Sequence, residues 1–268
     1  MEKYIFTDLA CEVAKEKQEN FQKISEGIIR LSFFDDSKLV GEMCTTFFTS
    51  KLWLLTDEEF FLLSDAVANE LRRMLSRVLD REGMVRVLVV GLGNPRVSAD
   101  SLGANTVDGV YIGAHNKSKN FFVMAVAPDV SENTGIKTLD TVKAYVDSAS
   151  ADAIVVVDSL RARCVERLAA TVQLSEGGIK PGSGVGGNGA ELSLATLGIP
   201  VISVGIPTVV SSATLIYDVV SRCAKATDIE LEDLLENNMS FLVAPREIDL
   251  LIKSGSLLLS NAINRAFS

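Results

Sequence analysis

An α/β fold, with a mostly parallel twisted sheet flanked by helices, is what the sequence predicts, and three observations predict it. Short apolar runs rich in valine and isoleucine alternate with longer segments of helical periodicity, the pattern of strands buried on both faces. Glycine and proline punctuate the joints between them. The chain also has enough material for a core: 47% of its 268 residues are hydrophobic and 23% charged, a composition that excludes a disordered or fibrous protein. A single α/β domain over residues 1–268 is expected, with an N-terminal helical preface over about 1–82.

The elements follow in order. Thr56-Asp-Glu-Glu59 is a capping box, and Phe60, Leu63, Val67, Leu71, Met74, Leu75 and Val78 then recur at helical spacing, so a helix is expected there. Val85-Arg-Val-Leu-Val-Val90, between Gly83 and Gly91, reads as a buried strand. Phe121–Ala127, Ala153–Val157 and Val201–Val204 read as three more. Helices are expected over Thr138–Ser148, Ser159–Ala170, Ser211–Ala224 and Arg246–Arg265. The long stretch Ser175–Gly189 is glycine-rich and irregular, and loops of that length inside a domain usually serve function.

Charge and residue counts remove several functional classes. With 26 basic against 35 acidic side chains, a net charge of −9, the chain lacks the cationic excess that grips nucleic-acid phosphates. The four cysteines form no C-x-x-C pair, and one histidine, His115, cannot build a multi-histidine centre. No apolar run approaches the roughly 20 residues of a membrane span, and the first residues lack the long apolar stretch of a signal peptide. A soluble intracellular protein with reduced thiols is the expectation.

In open parallel sheets, ligands bind beyond the carboxyl ends of the strands. Two predicted strand ends here each deliver a carboxylate. One strand runs into Gly91-Leu-Gly-Asn94-Pro-Arg-Val-Ser-Ala-Asp100-Ser-Leu-Gly103, and another ends at Val157-Asp158. An aspartate directly after four aliphatic residues must be hydrogen-bonded, paired or functional, because burying it ionised and alone is costly. The plain alternatives are that Asp158 caps the helix expected after it, and that Asp100 holds a loop turn. Two carboxylates meeting in one cleft can share a proton, one activating water while the other protonates the carbonyl or the leaving amine. The glycines of Gly91-Leu-Gly93 and of Pro181-Gly-Ser-Gly-Val-Gly186 would let backbone approach a bound peptide, with their N–H groups stabilising an oxyanion.

Several long colinear segments resemble the germination protease family, the spore endopeptidases that degrade small acid-soluble spore proteins. They are Val89-Val-Gly-Leu-Gly-Asn94 with Val97-Ser-Ala-Asp100-Ser-Leu-Gly103, Ala127-Pro-Asp-Val-Ser-Glu-Asn-Thr-Gly-Ile-Lys-Thr138, and Val157-Asp-Ser-Leu-Arg-Ala-Arg-Cys-Val-Glu-Arg167. Thr171-Val-Gln-Leu-Ser175, Gly178-Ile-Lys-Pro-Gly-Ser-Gly-Val-Gly186 and Leu197–Val210 continue the likeness, with Thr7-Asp-Leu-Ala10 and Val243–Asp249 near the ends. The resemblance implies a phosphorylase/hydrolase-like fold akin to the hydrogenase maturation proteases. It also implies an atypical aspartic-type endopeptidase whose two required aspartates match Asp100 and Asp158. It implies cleavage after a glutamate, a homo-oligomer (a tetramer) made as a zymogen, no cofactor, and a place in the spore interior, the cytoplasmic side. The chain departs from the family pattern in three places: little sequence precedes Thr7, Gly187-Asn-Gly-Ala-Glu191 stands where the family carries a basic cluster, and Ala99 stands where a proline is usual.

Further candidates surround this pair. Asn94 is read as a contact to substrate backbone or the scissile carbonyl, against a loop Asn holding its own turn. Arg161 is read as a partner for an acidic substrate side chain or a catalytic aspartate, Arg163 as a surface residue paired with Glu166, and Ser183 and Gly184 as substrate-binding positions in the glycine-rich loop. His115 is the remaining candidate ligand should a metal be held. Two rival functions stand beside the protease reading: an inactive relative that binds acidic peptides, and a peptidyl-tRNA hydrolase, whose Gly-Leu-Gly-Asn-Pro motif Gly91–Pro95 also fits.

Overall fold

The computed structural model describes residues 7–13, 20–35, 42–79, 83–114, 121–181, 189–223 and 241–268. Within them nine strands form one sheet: β1 (Asn20–Lys23), β2 (Ile29–Asp35), β3 (Glu42–Phe48), β4 (Val85–Gly91), β5 (Phe121–Val126), β6 (Ala153–Ala162), β7 (Thr171–Ser175), β8 (Val201–Ser211) and β9 (Leu242–Val243). The longer helices are α1 (Asp57–Val78), α2 (Leu102–Asp108), α3 (Thr138–Ala149), α4 (Ser212–Cys223) and α5 (Ile248–Phe267). The strand order is β1-β2-β3-β7-β8-β6-β4-β5, with β9 also beside β8.

The valine-rich runs form the centre of this sheet. β4 pairs in parallel with β5 and β6, and β6 in parallel with β8. Such strands carry apolar side chains on both faces because helices cover both. From β6, Val155 and Val157 enter the larger core with Leu63, Leu71 and Met74 of α1 and Leu258 and Leu259 of α5. Ile154 and Val156 point the other way, into a smaller core with Val142 and Val146 of α3. Each such side chain contributes roughly 1.5–3 kcal/mol by leaving water. The capping box of α1 forms as expected, Thr56 and Glu59 each accepting the other's backbone N–H.

The structure corrects three expectations. The sheet is mixed rather than mostly parallel: β1–β2, β2–β3, β3–β7, β7–β8 and β8–β9 are antiparallel. For the same reason the N-terminal preface is not simply helical, since β1, β2 and β3 precede α1. These strands escape a search for apolar runs because they bury polar side chains; Thr45, Thr46, Thr171 and Gln173 are all buried. Finally, Ser159–Ala170 is not a helix. β6 continues through it to Ala162, because β8 is itself eleven residues long and keeps pairing with it past a bulge at Leu160/Arg161. A long strand partner overrides local helix propensity.

Beyond the sheet centre, a buried carboxylate organises the join between α1 and the antiparallel strands. Glu70 accepts from Arg30 of β2, from Arg73 one turn along α1, and from Thr45 of β3. Among the described residues no helix is long and apolar enough to cross a membrane.

Candidate active site

The register of β6 decides where Asp158 sits. Its pairing with β4 ends at Gly91 opposite Val157, while its pairing with β8 continues with Asp158 opposite Gly205. Asp158 is therefore the first residue of β6 beyond the end of β4, on the same face as Ile154 and Val156. Only 7% of it is exposed. One backbone donor serves it, the Ser159 N–H, at 2.8 Å from Oδ1. With β6 extended through this point, Asp158 caps no helix.

A tight turn brings Asp100 to the same strand ends. The Leu92 N–H bonds the Val157 carbonyl at 2.8 Å, fastening the end of β4 to the end of β6. The chain then reverses at Gly93, whose φ of +98° no side chain adopts readily, and whose missing Cβ would stand 2.0 Å from the Asp100 carbonyl oxygen. A single 3-10 turn, Ser98–Asp100, presents the carboxylate, which accepts the Asn94 N–H at 2.7 Å. From β8, Thr208 Oγ1 donates to the Ala99 carbonyl at 2.7 Å and holds this turn down. α2 then packs onto the strand ends through Gly103, where a Cβ would lie 2.3 Å from the Leu92 carbonyl oxygen and 2.6 Å from that of Val157. Gly93 and Gly103 thus make room for the chain's own backbone.

The two carboxyls differ in environment. Burial first, and the nearby negative charge of Asp100 second, push the Asp158 carboxyl well above its usual 3.8; the Ser159 N–H opposes them, and Asp8 adds to them. Burial also raises Asp100, while the Asn94 N–H pulls it back. Both carboxyls are therefore pushed upward, Asp158 the more strongly.

The other expected residues divide. Asn94 serves its own turn: its side-chain oxygen accepts the Arg96 N–H at 3.0 Å and Asn133 Nδ2 at 3.1 Å. Asn133 also reaches Asp129 at 2.8 Å, tying the loop after β5 to the Asp100 turn. Arg161 is buried in the extended part of β6, near the charge of Asp8. Arg163 gives its backbone N–H to Glu12 at 2.8 Å, and Cys164, which lies before a 3-10 turn rather than on a helix, does the same at 3.1 Å. Ser183, Gly184 and His115 lie outside the described residues. The flanks of the glycine-rich loop meet through an Ile179–Leu192 bridge, close to a cavity of about 280 Å³ lined by Asp8, Leu160, Gln173, Ser203 and Gly205 among others.

Sequence reasoning missed the part played by Thr7–Val13. This segment lies against the end of β6 and on β7, where Gln173 accepts the Ala10 N–H at 2.7 Å and donates to the Asp8 carbonyl at 3.0 Å. Its only signal was the short motif Thr7-Asp-Leu-Ala10. Among the described residues, no three His, Cys, Asp or Glu side chains are placed to hold a metal ion.

Comparison with known proteins bears on the same residues. The profile of the family described as "Germination protease" matches residues 38–234, which include both Asp100 and Asp158. The germination protease of Caldanaerobacter subterraneus subsp. tengcongensis is 34% identical over 235 residues, covering 76% of this chain and 72% of that protein. That of Clostridium acetobutylicum is 33% identical over 249 residues, covering 81% and 75%. That of Geobacillus sp. is 41% identical over 179 residues, covering 64% and 48%. Among solved structures, a [NiFe] hydrogenase maturation protease, HycI from Thermococcus kodakarensis, aligns with a TM-score of 0.40 at 12% identity, over 74% of this chain and 99% of that one. A match running through both strand-end carboxylates, the turn that carries one and the strand that carries the other, leaves a single conclusion: the chain belongs to the germination protease family.

Proposed function

We propose that this protein is an endopeptidase that hydrolyses small acid-soluble spore proteins during germination, by water activation between Asp100 and Asp158. What supports the mechanism is the unequal pair: a buried Asp158, its carboxyl pushed up by burial and by the charge of Asp100, and a more accessible Asp100 raised less. In this reading Asp100, ionised, takes a proton from water as it attacks the scissile carbonyl. Asp158 donates its proton to the carbonyl oxygen, and the charge that develops is thereby neutralised. Collapse of the tetrahedral intermediate returns a proton to the leaving amine, and the pair regains its starting state. Burial makes this division durable, since two like charges held together in low dielectric cannot both ionise near neutral pH. The spore interior as the site of action, and assembly into a homo-oligomer, belong to the same proposal and rest on the family alone.

The test is hydrolysis of a purified small acid-soluble spore protein by the parent chain, by Asp100→Asn and by Asp158→Asn. Cleavage by the parent and loss of at least 1000-fold in each variant is expected, the scale on which catalytic acids and bases act. A bell-shaped dependence of kcat/KM on pH should belong to the pair rather than to either residue. Cleavage that survives both substitutions would remove the mechanism, and a parent chain that binds without cutting would favour the peptide-binding alternative.

A further inference from the structure

We propose that Asn133 is a positioning residue of this site: from the loop after β5 it holds the side chain of Asn94, and through it the backbone N–H that orients the Asp100 carboxylate. The proposal rests on the two-carboxylate reading above and adds a residue to it.

The need for such a residue comes from the turn that carries Asp100. Its two ends are fastened to the sheet, by the Leu92 N–H on the Val157 carbonyl at 2.8 Å and by Thr208 Oγ1 on the Ala99 carbonyl at 2.7 Å. Between them, and among the described residues, the Asn94 N–H is the one donor that serves the Asp100 carboxylate, at 2.7 Å. That N–H belongs to the peptide that follows Gly93, and glycine restrains a neighbouring peptide less than any other residue does. Its direction is therefore set by what holds the Asn94 side chain. Oδ1 of Asn94 accepts the Arg96 N–H at 3.0 Å, a bond internal to the turn, and Asn133 Nδ2 at 3.1 Å, a bond that reaches it from another loop.

The loop after β5 is built to present that donor. Asp129 takes a φ of +63°, the left-handed region that few non-glycine residues adopt, and its Oδ1 accepts the Val130 N–H at 2.7 Å and Asn133 Nδ2 at 2.8 Å. A single helical turn, Ser131–Thr134, carries Asn133. An amide nitrogen has two hydrogens, and two acceptors take them here, Oδ1 of Asp129 and Oδ1 of Asn94. Turning the amide over would set oxygen against oxygen at both, so its orientation is fixed. Hydrogen bonds thus run without a break from Asp129 through Asn133 and Asn94 to Asp100. The charged groups that act on Asp100 are Asp158 from β6 and Glu132, the neighbour of Asn133 in sequence, whereas the Arg96 cation acts on Asp129. Both of those carboxylates oppose ionisation of Asp100, which leaves the Asn94 N–H as the contact that favours the anion.

The test follows hydrolysis of a small acid-soluble spore protein across pH by the parent chain, Asn133→Ala, Asn94→Ala and the double variant. Asn133 is exposed, so its truncation should move Tm by no more than about 2 °C. If Asn133→Ala fails to fold, Asn133→Asp, of the same shape but without the two N–H groups, makes the same comparison. In Asn133→Ala, kcat should fall about 5- to 10-fold, the scale of one hydrogen bond, with KM unchanged. The acid limb of kcat/KM should move to higher pH by roughly half a unit, because the Asp100 anion loses a well-aimed donor. In the Asn94→Ala background the same substitution should change kcat by less than about twofold, since the link it breaks is already gone. An unmoved kcat and limb, or a loss of equal size in both backgrounds, would overturn the proposal. Asp100→Asn measured alongside separates the two failures: if it remains active the two-carboxylate reading falls, and this proposal with it; if it is dead and Asn133→Ala matches the parent, only the role of Asn133 falls.

Discussion

Asp158→Asn should abolish cleavage yet make the protein harder to melt at neutral pH. The folded carboxyl lies well above its usual 3.8, chiefly because it is 7% exposed and faces Asp100. Below that usual value both folded and unfolded chains carry the proton, and the site has no electrostatic penalty. As pH rises, the unfolded carboxyl ionises first, so the folded state binds more protons and stability falls until the folded group ionises as well. The penalty is about 1.4 kcal/mol for every unit by which the folded carboxyl is raised. For chains of roughly this size, 1 kcal/mol moves Tm by about 2–4 °C. Asparagine is nearly the same shape, is neutral at every pH, and still offers an oxygen to the Ser159 N–H that now lies 2.8 Å from Oδ1. Scanning calorimetry of parent and variant between pH 4 and 8 should give curves that nearly coincide at the acid end and diverge upward in favour of the variant. Asp100→Asn should show a smaller gain, because the Asn94 N–H already stabilises that anion. A variant no more stable than the parent at pH 7.5, or one offset by the same amount at every pH, would refute the argument that Asp158 is strained by its own charge.

Three further outcomes follow from the packing. Gly103→Ala would place a methyl group 2.3–2.6 Å from backbone oxygens of Leu92 and Val157, neither of which yields cheaply; the strand ends must part by roughly 1 Å, and kcat/KM should fall about 100-fold with a loss of about 2–3 kcal/mol in urea unfolding. An unchanged rate would show that the glycine does not set the spacing of the carboxylates. Glu70→Ala strips Thr45, Arg30 and Arg73 of a shared acceptor; because both arginines still reach water, about 2–3 kcal/mol should be lost, measured by the same unfolding, with kcat/KM on folded protein unaffected. Burial pushes the Cys11 thiol up to about 11, so about one molecule in a thousand carries the thiolate at pH 8, and mass spectrometry should find Cys11 unalkylated by iodoacetamide after an hour in native protein.

The sequence by itself determined the class of fold, its central strands and both candidate carboxylates. Val85–Val90, Phe121–Ala127, Ala153–Val157 and Val201–Val204 are legible because a strand buried on both faces has to be apolar throughout. Asp100 and Asp158 are legible because an acid at the end of such a strand needs a reason to be there. Only the tertiary structure decided that the sheet is half antiparallel, since Thr45 and Gln173 are buried through hydrogen bonds that no apolar pattern records. It alone decided that Ser159–Ala162 is strand, because pairing with β8 outweighs local preference. It alone brought the Asp8 carboxylate to the backbone N–H of Arg161, 153 residues away in sequence: a hydrogen bond needs its two groups within about 3 Å, and that separation is set by how the chain comes together rather than by the order of its residues.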